Sequence, residues 1–124
     1  MTGHRLARLS LRIDAIYCIA LGVLVAATAP FTAGSVALPL PVLVAIGALT
    51  AAWGGYVWWS HVHRPIRQAT QFVMVANIAA SLALAATGLF AGEWVLALAA
   101  SVLAIDVAAF AVSQGIALRL PARG

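Results

Sequence analysis

Ser60-His61-Val62-His63-Arg64-Pro65-Ile66-Arg67 is the polar interruption on which the reading of this chain turns. The sequence on either side of it is apolar for long stretches. No Asp, Glu, Lys or Arg occurs from Ala15 to His63, and none from Gln68 to Gly92. A helix crosses the hydrocarbon of a bilayer in about 20 apolar residues, so the first stretch holds two crossings. They are not one continuous helix, because Pro30, Gly34, Pro39 and Pro41 punctuate the middle. An Arg at mid-bilayer costs at least roughly 2.5–3.5 kcal/mol on insertion scales. The octapeptide therefore belongs in water, and the positive-inside bias puts it in the cytoplasm. Pro65 ends the second span, since its ring nitrogen has no proton to carry a helix on.

Working outward, the same logic predicts an all-α bundle of four membrane spans, up-down-up-down, built as two helical hairpins. The spans fall at about 9–29, 41–59, 69–90 and 94–118, in one integral membrane domain over residues 1–124. Only 8% of the 124 residues are charged and 65% are hydrophobic, against about 25% charged in a soluble domain. Every basic residue is Arg: Arg5, Arg8, Arg12, Arg64, Arg67, Arg119 and Arg123. All fall at the termini or in the middle turn, and neither outer turn has any. These are read as topology determinants that place both termini in the cytoplasm. The absence of Lys and the abundance of Ala suggest a bacterial chain, hence the bacterial cytoplasmic (inner) membrane. The net charge of +4 is assigned to lipid phosphates rather than to nucleic acid.

Residues 1–12 read as an amphipathic lead-in, with Arg5, Arg8 and Arg12 on one helix face. Signal-peptide cleavage after Ala29 is disfavoured by Pro30 directly beyond it and by Asp14 at the start of the apolar stretch. Tyr56, Trp58 and Trp59 form an interfacial belt beside the basic turn. Gly88 to Glu93 makes the second outer turn, and Val25–Phe31 weakly repeats Leu84–Phe90.

Three polar side chains stand out inside the spans. Asp106 lies 13 residues from both Glu93 and Arg119, near the bilayer centre. No Arg or Lys shares its depth, and an unpaired carboxyl in hydrocarbon is favoured in its neutral form. It reads either as helix glue or as a proton-binding group. Asn77 is expected near the same depth, hydrogen-bonded to Asp106 across the bundle. Asp14 is expected about a turn and a half inside the cytoplasmic edge, paired with interfacial water or with Arg64, Arg67 or Arg119. Ser113 and Gln114 would join it in a polar vestibule. Ser10, Asp14, Tyr17, Cys18 and Gly22 share one side of the first span. Gly47, Ala51 and Gly55 make a small-residue stripe on the second, suited to internal packing or to a homodimer seam.

Enzymatic chemistry is not expected. The chain lacks a P-loop, HExxH, GxSxG and GxGxxG. Cys18 is the sole cysteine, and His61 and His63, at i and i+2, do not share a helix face. No metal or cofactor is expected; the His pair reads as interfacial.

With the spans placed, the chain resembles small bacterial four-helix integral membrane proteins. The resemblance rests on Arg12-Ile13-Asp14-Ala15 opening span one, the Asn77-bearing third span, and the polar close at Gln114. It implies the four-helix fold and no established activity. Asp14 in span one also invites comparison with the small multidrug resistance transporters, but their aromatic and glycine signatures are absent and the charge bias here is strong. Two functions follow as expectations. One is a non-catalytic accessory, assembly or homo-oligomeric membrane protein. The other is a small proton-coupled transporter or channel using Asp106, with Asn77 as its partner and Asp14 at the mouth.

Overall fold

A computed structural model describes residues 2–34 and 38–121. Four helices follow one another: α1 (Gly3–Thr32), α2 (Leu40–His63), α3 (Ile66–Phe90) and α4 (Trp94–Arg119). Each is long and apolar enough to cross a membrane, which makes this an all-α, multi-pass membrane protein. Residues 35–37 of the outer turn, and the topology determinant Arg123, lie outside the described residues.

The helix ends follow local chemistry. Thr2 caps α1, its hydroxyl accepting the Arg5 N–H at 3.1 Å. Pro39 precedes α2, and Pro41 sits in its first turn, where a missing N–H costs nothing. Arg64 and Pro65 alone separate α2 from α3. Glu93, the one charge of the outer turns, caps α4, its carboxylate accepting the N–H groups of Val95 and Leu96. α1 departs from expectation at both ends. It begins at Gly3 rather than near Leu9, and it runs through Pro30 to Thr32. So close to the end of a helix, a proline forfeits one backbone bond without breaking it.

Contacts within each consecutive pair run in opposite chain order. In α1–α2, a Cβ added at Gly22 would strike the backbone of Gly47 and Ala51, and one at Gly54 would lie 2.7 Å from the Ala15 carbonyl. In α3–α4, Gly88 packs on Ser101 and Gly115 faces Met74. The small-residue stripe thus works inside the chain, and its make-up needs one correction. The contact face is Gly47, Ala51 and Gly54, whereas Gly55 has no atom within 4 Å of an added Cβ. At 100° per residue, Gly54 falls about 20° from Gly47 around the helix and Gly55 about 80°.

The two pairs join in the half of the molecule that carries the termini and the Arg64–Pro65 turn. The apolar cluster there comprises Ala7, Leu11, Ala15, Val57, Ile66, Ala69, Val73 and Ala117. In the far half the α3–α4 pair is less buried, and no residue from Ile78 to Ala99 is buried.

Candidate functional site

Ser10, Asp14, Tyr17 and Cys18 recur at helical spacing on one side of α1, and that side meets α3 and α4. Three rungs tie α1 to α4 and to the residues just beyond it. The Gly3 N–H donates to the Pro121 carbonyl at 2.7 Å. The Ser10 and Ser113 hydroxyls share a 2.7 Å bond. The Tyr17 hydroxyl donates to Asp106 Oδ2 at 2.8 Å.

Between the outer two rungs sits a closed polar triad. Asp14 is 1% exposed, Asn77 4% and Gln114 0%. Asp14 Oδ2 accepts from Asn77 Nδ2 at 2.7 Å and from Gln114 Nε2 at 3.1 Å. Asn77 Nδ2 also donates to Gln114 Oε1 at 3.1 Å, and the Cys18 thiol reaches Asp14 Oδ1 at 3.4 Å. Both amides turn their NH2 groups toward Asp14, whose Oδ2 accepts from each. The ring joins α1, α3 and α4 through side chains alone. Such a network, taken out of water, fixes which helices meet and in what register.

This placement corrects two expectations. Asp14 does not pair with Arg64, Arg67 or Arg119. With α1 starting at Gly3, it lies about 16 Å along the helix from that end, beyond the interface where those side chains work. Arg67 Nη1 instead caps the Leu118 carbonyl at 3.1 Å, Arg64 lies over the Trp59 ring at 5.8 Å, and Arg119 is exposed in the last turn of α4. Nor does Asn77 bond to Asp106. The contacts of Gly88 with Ser101 and of Gly115 with Met74 put Asn77 level with the stretch around Val112, about 9 Å along the axis from Asp106. Asp106 and Asn77 therefore belong to different sites.

Asp106 is half-buried and opens on a groove of about 440 Å³ lined by Tyr17, Asp106, Ala109, Phe110 and Ser113. Tyr17 meets Phe110 edge-on, with ring centroids 5.4 Å apart. The sequence pattern had placed Tyr17 on the polar side of α1. Its role as the donor to Asp106 was not readable, because the α1–α4 register is set only when the helices pack.

At the terminal end, Arg5, Arg8 and Arg12 line a wide basic surface with Thr2, His4 and Leu9. Arg12 Nε donates to His61 Nε2 at 3.3 Å, and His61 Nδ1 donates to the Trp58 carbonyl. One neutral tautomer, protonated on Nδ1, satisfies both contacts. His63 stacks on Trp59 at 5.1 Å. Comparison of the chain with known protein families, with curated proteins and with solved structures gives no match.

Proposed function

We propose that this chain is a small multi-pass protein of a bacterial cytoplasmic membrane, threaded up-down-up-down with both termini in the cytoplasm. It works without catalysis, through contacts of its helices, as an accessory or assembly subunit or as a homo-oligomer. The observation that carries this reading is the division of the molecule into two halves. The terminal half is latched by the Asp14–Asn77–Gln114 triad and the apolar cluster below it. In the far half the α3–α4 pair has no buried residue from Ile78 to Ala99. Leu82 and Ile105 are 67% and 70% exposed, on helices whose opposite side is already occupied by their hairpin partner. A membrane-embedded surface of this kind is suited to another helix.

The test is photocrosslinking in native membranes from probes at Leu82 and Ile105, with Val62 at the terminal end as reference. A discrete adduct is expected from the two far-half positions and not from Val62. An adduct of twice the chain's mass assigns a homo-oligomer, and one of another mass an accessory role. Absence of any adduct from either far-half position overturns the reading.

A second reading is supported by the Asp106 groove: a small proton-coupled carrier or channel with Asp106 as the proton-binding carboxyl. Without Asn77 beside it, Tyr17 is the partner of that carboxyl. Proteoliposomes under an imposed pH gradient check this. The carrier reading expects solute-dependent proton flux, abolished by Asp106→Asn.

A further inference from the structure

Arg5, Arg8 and Arg12 form a column on the exposed side of α1. Their spacing keeps them within about 60° of one another around the helix and spreads them over about 10 Å along it. The inner end of the column has a fixed depth. Arg12 Nε donates to His61 Nε2 at 3.3 Å, and His61 lies in the last turn of α2 against the Trp58 ring of the aromatic belt. Arg12 therefore stands at the level of the membrane interface, and Arg5 about 10 Å farther out. No acidic side chain is left to neutralise the column. The chain has three: Asp14 is tied to Asn77 and Gln114, Glu93 caps α4 at the other end of the molecule, and Asp106 accepts from Tyr17.

Orienting the chain in a membrane requires positive charge at this end but no particular arrangement of it. The arrangement here is that of a binding surface. The three Arg line one recess of about 620 Å³. The bond to His61 uses one of the five N–H donors of Arg12 and steadies its planar fork, which leaves both Nη groups for an acceptor. Guanidinium forks match phosphate oxygens in pairs. Three of them in one recess exceed the single charge of a phosphodiester, so two phosphates joined in one headgroup suit the column better than one. Below the column the same side of α1 turns apolar. Leu9, Ile16 and Val23 are all exposed, and Ile16 and Val23 fall within about 40° of Arg12 around the helix. Charge above an exposed apolar strip matches a lipid. A nucleic acid or a soluble phosphate has no use for the strip.

We propose that the Arg5–Arg8–Arg12 column binds one membrane lipid whose headgroup carries two phosphate groups, with its acyl chains laid along Leu9, Ile16 and Val23. The site is separate from the Asp106 groove and from the far half of α3 and α4. It goes beyond both functional readings above, and neither crosslinking nor proton flux decides it.

The experiment gives the full chain, in detergent micelles, cardiolipin and phosphatidylglycerol at equal total phosphate, and native mass spectrometry counts the lipids retained. One cardiolipin per chain is expected, in preference to phosphatidylglycerol. Excess inorganic diphosphate does not displace it, having no chains for the apolar strip. Arg5→Gln/Arg8→Gln lowers the affinity for cardiolipin roughly 30-fold, the loss expected for two guanidiniums at a membrane surface, and leaves the contact of Arg12 with His61 in place. Arg64→Gln/Arg119→Gln removes the same charge from two other exposed positions at this end and leaves cardiolipin binding nearly unchanged. The lipid preference and the diphosphate challenge are read on the unaltered chain, so the test stands even where a variant does not fold. Three outcomes overturn the proposal: no preference for cardiolipin, equal losses in the two double variants, or displacement by inorganic diphosphate, which would assign the column to a soluble phosphate compound.

Discussion

Gly54→Ala destabilises the protein by about 1–3 kcal/mol, the cost of overpacking a fitted interface, while Gly55→Ala, one residue on, leaves it as stable or slightly more so. An added Cβ at Gly54 would stand 2.7 Å from the Ala15 carbonyl oxygen and 2.8 Å from the Ile19 nitrogen. Those two atoms lie one helical turn apart on α1 and share a backbone hydrogen bond. Neither can retreat alone, so α2 as a whole must move off α1. Gly47 is as tight, its added Cβ lying 2.6 Å from the Ala26 nitrogen. At Gly55 nothing lies within 4 Å, and Ala gains up to about 1 kcal/mol of helix propensity over Gly. SDS denaturation in mixed micelles, followed by tryptophan fluorescence, reads both. Equal stability of the two variants would mean that the α1–α2 contact is not the one described.

Asp14→Leu is expected to cost about 1–3 kcal/mol, the desolvation penalty of a stranded buried polar group, and Asp14→Asn much less. With Leu, the Gln114 Nε2 donor loses its acceptor, while Asn77 keeps only its bond to Gln114 Oε1. With Asn, the amide oxygen can take the place of Oδ2 and accept both donors, turning its NH2 toward the Cys18 sulfur, a weak acceptor. An Asp14→Leu/Gln114→Leu double variant costs less than its two single variants summed, because the Asp14–Gln114 bond is lost only once, although Asn77 then keeps neither acceptor. A coupling of about 0.5–1.7 kcal/mol is expected, the range of interhelical hydrogen bonds in membranes and of residues in direct contact. Strictly additive single and double variants would remove the triad as the latch between the hairpins. If Asp14→Asn were as damaging as Asp14→Leu, the negative charge itself, and not the acceptor geometry, would be what the site requires.

Much of this molecule is legible without coordinates. Charge-free runs on either side of the Arg64–Arg67 turn, with the apolar stretch beyond Glu93, define four spans, and each of those spans lies within a helix of the structure. Pro39, Pro41 and Pro65 mark helix starts because a missing N–H costs nothing there. The polar side of α1 is also readable, since Ser10, Asp14, Cys18 and Gly22 repeat at helical spacing and all are buried. What misleads is depth counted from a presumed helix end. Starting the first span at Leu9 rather than Gly3 moved Asp14 by about 9 Å, enough to bring it within apparent reach of interfacial Arg side chains.

The partners of the polar groups were beyond sequence reading for a definite reason. Composition and periodicity act along one helix, so they determine that a segment is helical, apolar and polar on a given side. Which polar groups meet depends on how far antiparallel helices slide past each other, and each residue of slip moves a side chain by about 1.5 Å and turns it by about 100°. A hydrogen bond tolerates far less than one such step. The sequence by itself therefore determined the four apolar helices, the proline-marked starts of α2 and α3, and the location of charge at the termini and the middle turn. The packing of Gly22, Gly47 and Gly54 between α1 and α2, and of Gly88 and Gly115 between α3 and α4, decided the rest. It gave Asn77 and Gln114 to Asp14, and left Asp106 with Tyr17 in an open groove.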